Sequence, residues 1–363
     1  MFFLTIEAIC KKLGIEGEII VCDVIKSGNI NDTFKVTVKN GNETASYIVQ
    51  QINTYVFRKP MKMMENISRV TSHIKAKLSE DSDRMVLSFL KSKDGESCIF
   101  DNVGKCWRAY RFVEDSVTYD TCDDLEVLEQ AGLAFGRFQM MLGDFDASTL
   151  YETIPDFHDT EKRMQTLFEH VEENRIGRVE SVAEEIEFFR ENYDHAVKLT
   201  RMQKAGEIPL RVTHNDTKCN NVLFDTETKK ALAVIDLDTV MPGIALHDYG
   251  DAVRFSANTA KEDEPDISKV SMDADKFRAF TKGFLASCGD VLTDKEKENL
   301  VDSVIVIGME LAGRFLDDYL TGDKYFKTDY PGHNLVRVRS QIALVRDVLA
   351  KYDELNAIVK ELI

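Results

Sequence analysis

The sequence predicts an α+β fold in two lobes, a small β-rich one at the N-terminus and a larger, mainly helical one after it. Three observations carry that reading. At 363 residues the chain exceeds what one hydrophobic core usually holds. Over its first 115 or so residues, apolar and polar side chains alternate in short runs. Beyond Cys122 the apolar residues recur instead at helical spacing. We expect a boundary between lobes spanning 1–115 and 116–363.

Element by element, a short helix is expected over Ile6 to Leu13. Phe34-Lys35-Val36-Thr37-Val38 alternates with period two, Asn40-Gly41 signals a tight hairpin, and Tyr47-Ile48-Val49 resumes the strand pattern. Met61 to Leu78 has helical spacing and carries Glu65, and Cys106 to Val113 reads as a strand leading into a connector. Helices are expected over Leu125 to Leu142, Glu161 to Glu173, Val182 to Met202, Asp275 to Ser287 and Lys295 to Leu320. Their stripes, such as Phe135, Phe138 and Met141, suit a core. Strand-like runs at Ile208 to Val212, Val222 to Phe224 and Ala231 to Asp238 bracket polar segments, and Ala260 to Asp266 reads as an exposed loop.

Composition narrows the function classes. A net charge of -17 argues against a nucleic-acid partner, since that binding draws on Lys/Arg patches. Seven cysteines without a C-x-x-C pair fit reduced thiols and a cytoplasmic location. The first residues have no basic region and meet Glu7 early, unlike a signal peptide. No apolar run approaches the roughly 18 residues of a membrane span, so no membrane partner is expected. Nothing in the sequence specifies an oligomeric state.

The chemistry is concentrated in Thr213-His214-Asn215-Asp216-Thr217-Lys218-Cys219-Asn220-Asn221 and in Ala231 to Asp238. An Asp two residues after a His and five before an Asn reproduces the kinase catalytic loop H-x-D-x-x-x-x-N, and a further Asp follows on the next apolar run. Phosphoryl transfer requires positioning and charge neutralisation more than covalent chemistry. Asp216 would accept the proton of the attacking hydroxyl, and Lys218 would stand near the transferring group. Asn221 and Asp236 offer the oxygen ligands that Mg²⁺ prefers. His214 reads as a loop brace, and Asp238 as either a loop cap or a second metal ligand. The two-lobed fold is therefore expected to be protein-kinase-like. Its nucleotide would be ATP, met by the segment with Gly28, Asn29 and Asn31 and by the connector at Phe112 and Val113. That segment, residues 27–33, holds a single glycine, and an ordinary turn fits it equally.

One departure stands out. A kinase N-terminal lobe places a lysine on its third strand to hold phosphates, but here that strand reads Tyr47-Ile48-Val49-Gln50-Gln51. Lys218, Lys26 and Arg58 are candidates to take over.

His214 to Asn221, with Ile235-Asp236 and Ala245-Leu246-His247-Asp248-Tyr249-Gly250-Asp251, resembles the aminoglycoside phosphotransferase and choline kinase superfamily. The strings Thr213 to Val222, Ala233 to Gly243, and Gln50-Gln51-Ile52-Asn53 with Val56-Phe57 resemble its bacterial N-acetylhexosamine 1-kinase branch, which also lacks the third-strand lysine. The resemblance implies transfer from ATP to the anomeric hydroxyl of N-acetylglucosamine or N-acetylgalactosamine, with Asp216 as base and Asn221 and Asp236 holding Mg²⁺. It further implies that Arg314 and Tyr325 meet the sugar and that Asp248 props the catalytic loop.

From the residues alone, Arg314 inside an apolar helix is a costly charge unless paired or facing a pocket, and Glu310 or Asp318 could pair it. His158 and the pair His333-Asn334 are further candidates for sugar hydrogen bonds. A cationic acceptor, of aminoglycoside or choline type, is the alternative if Glu310, Asp317 and Asp318 crowd the pocket. A nucleotide-binding pseudokinase is another.

Overall fold

Phe34, Val36 and Val38 point into the core of the computed structural model, as their alternation demands. The structure describes residues 2–25, 30–78, 82–121 and 123–363, so Lys26, Gly28, Asn29 and Cys122 lie outside the described residues.

The chain divides into two compact units. The first comprises Met1–Val117, Thr149–Ile154 and Leu223–Met241; the second comprises Thr118–Ser148, Pro155–Val222 and Pro242–Ile363. The segment Leu223–Met241, expected in the second lobe, groups with the first because its contacts are there. Ser116 pairs with Asp225, Arg108 binds Asp238, and Asn66 Nδ2 donates to the Val240 carbonyl at 2.9 Å.

In the first unit, helix α1 (Phe2–Lys12) precedes β1 (Glu18–Ile25), β2 (Asp32–Asn40) and β3 (Glu43–Ile52). Then come α2 (Pro60–Lys77), β4 (Ile99–Phe100), β5 (Cys106–Arg111) and β6 (Ser116–Val117). Five strands form an antiparallel sheet in the order β1-β2-β3-β5-β4. Its core joins Ile6, Ile9 and Leu13 of α1 to Phe34, Val49, Trp107 and Ala109. The β2–β3 hairpin closes with Asn40 opposite Glu43, and Gly41 at φ +61° takes the first central position, where a II′ turn puts glycine.

The second unit is mainly helical: α3 (Leu125–Met141), α4 (Thr160–Glu173), α5 (Ala183–Glu191) and α6 (Tyr193–Lys204) precede the short strand β7 (Arg211–Thr213). Strands β8 (Val222–Asp225), β9 (Ala231–Val234) and β10 (Met241–Gly243) follow, the first two belonging mostly to the first unit. The chain then runs through α7 (Ala245–Ser256), α8 (Ala274–Cys288), α9 (Asp294–Glu298), α10 (Leu300–Thr321), α11 (His333–Ala350) and α12 (Tyr352–Leu362). Helices α3 and α8 cross at glycines: a Cβ on Gly132 would collide with the Phe280 carbonyl, and one on Gly283 with that of Glu129. Among the described residues no helix is long and apolar enough to cross a membrane.

Two helices expected as continuous are broken, each by an asparagine. Asn192 separates α5 from α6 and Asn299 separates α9 from α10, with φ/ψ of -106°/16° and -111°/17°. Each turns its Nδ2 back to the carbonyl four residues earlier, Phe188 at 2.9 Å and Lys295 at 2.7 Å, offering the backbone an alternative to the helix. The loop expected at Ala260 to Asp266 is half-buried to exposed, and it is also anchored. Glu262 binds Arg254 at 3.1 Å and Asp263 binds His333 at 3.2 Å.

Candidate active site

The loop after β7 is bent by Asn215, which sits in the left-handed region at φ 65° immediately before Asp216. Such a conformation costs on the order of 1–3 kcal/mol and persists only where its surroundings over-determine it. Asp248, on α7, supplies that constraint. Its carboxylate accepts the backbone N–H of His214 and Asn215, while Gln139 of α3 donates to it at 2.9 Å. Burial pushes the Asp248 carboxyl above its ordinary pKa, and these N–H donors pull the other way. His214 is fully buried between the edges of Phe135 and Phe138, which makes it a packing brace.

The loop brings Asp216, Lys218 and Asn221 together. Lys218 Nζ lies 3.0 Å from Asp216 Oδ1, and Asn221 Nδ2 donates to Asp216 Oδ2 at 3.1 Å and to its backbone carbonyl at 2.8 Å. With its amide nitrogen so engaged, Asn221 has its carbonyl oxygen to offer a hard cation. Burial works against the Lys218 charge, but Asp216 and Asp251 hold its pKa above the ordinary value. Asp251 also accepts the Thr217 N–H at 3.2 Å and is itself held by Arg254 at 2.8 Å. The loop is thus gripped by two carboxylates one turn apart on α7, Asp248 and Asp251.

Asp236 belongs to the first unit. It is exposed, adopts the left-handed conformation at φ 58°, ψ 57°, and starts a single 3-10 turn over Leu237–Thr239. Its carboxylate offers oxygen donors, of the kind Mg²⁺ prefers over a softer metal's ligands. Asp238 is 3% exposed and occupied: Arg108 takes one oxygen and Asn31 Nδ2 the other at 2.7 Å. It is therefore a structural anchor in this arrangement. Asn31 also accepts the Asn53 N–H at 3.0 Å. Phe112 lies under Lys35 Nζ, 3.6 Å from its ring centroid, and the buried Val113 accepts the Ser116 hydroxyl through its carbonyl at 2.6 Å.

A third cluster surrounds α10 in the second unit. Glu310, 2% exposed, binds His158 Nδ1 at 2.8 Å and Arg163 Nε at 3.3 Å. Burial opposes its charge, yet His158, Arg163 and Arg314 together hold its pKa down to about 2. Asp318 accepts the backbone N–H groups of Lys324, Tyr325 and Phe326, and Asp317 pairs with His170. Arg314 takes part in none of these pairs. Its guanidinium carbon stands 5.4, 5.9 and 5.4 Å from the ring centroids of Phe157, Tyr325 and Phe326, and Tyr325 is itself exposed. A cavity of about 160 Å³ adjoins, lined by Asp156, Lys162, Arg163, Thr166, Arg314 and Asp317 among others. His333 and Asn334 serve as buried braces, to Asp263 and to Asp318 and Asp323. Sequence reasoning missed Arg108 and Arg163; Arg108, a charge inside Cys106-Trp107-Arg108-Ala109-Tyr110, was the signal available.

The sequence profile of the phosphotransferase enzyme family matches residues 21–269. Among similar solved structures is an aminoglycoside phosphotransferase from Alicyclobacillus acidocaldarius, 12% identical over 98% of this chain and 96% of that one, with a TM-score of 0.58. Choline kinase from Cryptosporidium parvum is 13% identical over 97% of each chain, with a TM-score of 0.57. A spectinomycin phosphotransferase solved with ADP and spectinomycin is 13% identical over 94% of this chain and 97% of that one, with a TM-score of 0.54. At such identities the likeness establishes the fold, which is kinase-like.

Proposed function

Because the chain belongs to the phosphotransferase enzyme family, we propose that it is an ATP- and Mg²⁺-dependent kinase acting on the anomeric hydroxyl of an N-acetylhexosamine, yielding the sugar 1-phosphate. The observation that carries the choice of acceptor is the state of the acids on α10. Glu310, Asp317 and Asp318 are all engaged within the protein, whereas Arg314 stands among aromatic rings beside a cavity. A cationic acceptor would find Glu310, Asp317 and Asp318 already holding partners within the protein, and a guanidinium facing it. A neutral sugar, by contrast, suits donors set among aromatic walls.

In this reading Asp216 accepts the proton of the anomeric hydroxyl as it attacks the terminal phosphoryl group. That hydroxyl is more acidic than an ordinary alcohol, so a carboxylate base is adequate near neutral pH. Lys218 keeps its charge and stabilises the loop beside the base, while Asn31, Phe112 and Val113 would line the nucleotide. Asn221 and Asp236 would hold Mg²⁺, which when bound neutralises charge on the phosphoryl oxygens. Arg314, Tyr325 and His158 would contact the sugar.

The test is an acceptor panel. Purified protein with ATP and Mg²⁺ is offered free hexoses, N-acetylhexosamines, choline and aminoglycosides, and the phosphorylated position is read by NMR. We expect phosphate on C1 of N-acetylglucosamine or N-acetylgalactosamine. Phosphate on C6, or turnover of choline or an aminoglycoside alone, overturns the 1-kinase reading, and nucleotide binding without turnover of any acceptor points to a pseudokinase.

A further inference from the structure

Three residues stand in register across the sheet of the first unit: Thr33 on β2 is opposite Gln50 on β3, and Gln50 is opposite Arg108 on β5. They share one face, since directly opposed residues do, and it is the face away from the α1 core, which takes their neighbours Phe34, Val49 and Ala109. Their side chains are linked in sequence. Gln50 Nε2 donates to Thr33 Oγ1 at 3.1 Å, and Arg108 Nε donates to Gln50 Oε1 at 2.9 Å. Gln50 lies on the very strand where a kinase would carry its phosphate lysine.

Arg108 is 2% exposed, with Met64 Sδ 3.6 Å from Nη1 and the Phe89 ring 5.6 Å from its guanidinium carbon. A guanidinium so enclosed cannot touch a phosphate without unpacking its surroundings. What it does touch is Asp238, which is buried to the same degree and lies 130 positions away in the chain. With its other oxygen Asp238 holds Asn31, and Asn31 holds the Asn53 backbone. Asp236 stands two positions before this anchor in a tight turn, in the left-handed conformation that is uncommon for any residue but glycine, though Asp tolerates it better than most.

We propose that Arg108 is a positioning residue for the nucleotide-bound metal: through Asp238 it fixes the turn that presents Asp236, and so takes over the structural half of the task of the absent third-strand lysine. This rests on the phosphotransferase reading, with Asp236 as metal ligand. Arg108 makes no contact with phosphate in this role. Its action is indirect, and it is the geometry and charge of one fork, shared between Gln50 and Asp238, that a lysine could not reproduce.

Calorimetry of ATP binding, with and without Mg²⁺, tests the idea on wild type, Arg108→Lys and the double variant Arg108→Met/Asp238→Leu, beside ligand-free melting curves. The double variant replaces a buried ion pair by apolar side chains, a change that is often neutral for stability. Both variants are expected to bind MgATP about tenfold more weakly, with metal-free ATP affinity changed less than twofold and a higher Mg²⁺ concentration needed for half-saturation. Equal losses with and without metal would mean direct phosphate contact and overturn the proposal. So would a lowered melting temperature with unaltered Mg²⁺ dependence, which would make the pair a strut only. Failure of the wild type itself to bind MgATP would instead remove the phosphotransferase reading on which the proposal stands.

Discussion

Asp248 receives the backbone N–H of His214 on both of its carboxylate oxygens, at 2.9 and 3.1 Å, and one of them also takes the Asn215 N–H at 2.8 Å. The strained residue before Asp216 is therefore held by a side chain 33 positions away in sequence. Asp248→Asn would oppose an amide N–H to a backbone N–H at one of these contacts. We expect a loss of about 1.5–3 kcal/mol in urea denaturation, with a parallel fall in kcat. A fully stable, fully active variant would show that the loop keeps its bend without this carboxylate.

Asp216→Asn keeps the shape of the base and removes its capacity to take a proton. Turnover should fall by about 10²–10⁴, with the melting temperature and MgATP affinity nearly unchanged. Retention of more than half the wild-type kcat would disqualify Asp216 as the base.

Arg314 has rings around it and, although its charge helps hold Glu310 ionised, forms no direct ion pair among the described residues. Arg314→Ala and Tyr325→Phe should raise KM for the acceptor and leave KM for ATP almost untouched. A hydrogen bond from a charged group is worth roughly 1.5–3 kcal/mol against 0.5–1.5 for a neutral one, so the arginine variant should suffer more. Steady-state kinetics in both substrates, beside a melting curve, decide the matter. A destabilised Arg314 variant with unaltered acceptor KM would return the residue to a packing role.

Glu310 gives a pH signature. Its carboxyl is held at about 2 in the fold against an ordinary 4.5. A depressed carboxylate contributes stability above the unfolded value, and that contribution fades as pH falls toward the folded one. The stability gap between wild type and Glu310→Gln should be on the order of 3 kcal/mol near neutral pH. It should narrow by about 1 kcal/mol between about pH 6.5 and about pH 3.5, as urea midpoints at each pH will report. A gap independent of pH in that window would mean that ionisation of Glu310 contributes nothing.

Where one local rule decided the outcome, the sequence was readable. The alternation of Phe34, Val36 and Val38, the glycine turn after Asn40, and the stripes of α3 and α8 each follow from a single period or a single turn type. The catalytic loop was visible because its residue types and spacing are dictated by the chemistry. Asn192 and Asn299 were not, because the apolar spacing runs through both and the break comes from a side chain turning on its own helix. Helix α11 escaped notice because it buries His333, Asn334, Ser340 and Gln341, which dilute the apolar stripe. Arg108 and Asp238 meet across 130 positions, and the pairing of two charges at such a distance leaves no trace in local pattern.

The crossing of α3 and α8 imposes an order of events in time. Ser287 hydrogen-bonds to the Leu133 carbonyl across it, and those residues are 154 positions apart. A ribosome adding about 5–20 residues per second needs roughly 8 to 30 seconds to travel from one to the other. During that interval the glycine notch of α3 has no helix to receive, and loop-closure entropy is yet to be met. Gln139, which will help hold Asp248, sits on the waiting helix. The catalytic loop thus acquires its full support through α3 only after α8 has emerged, well after the loop itself has been made.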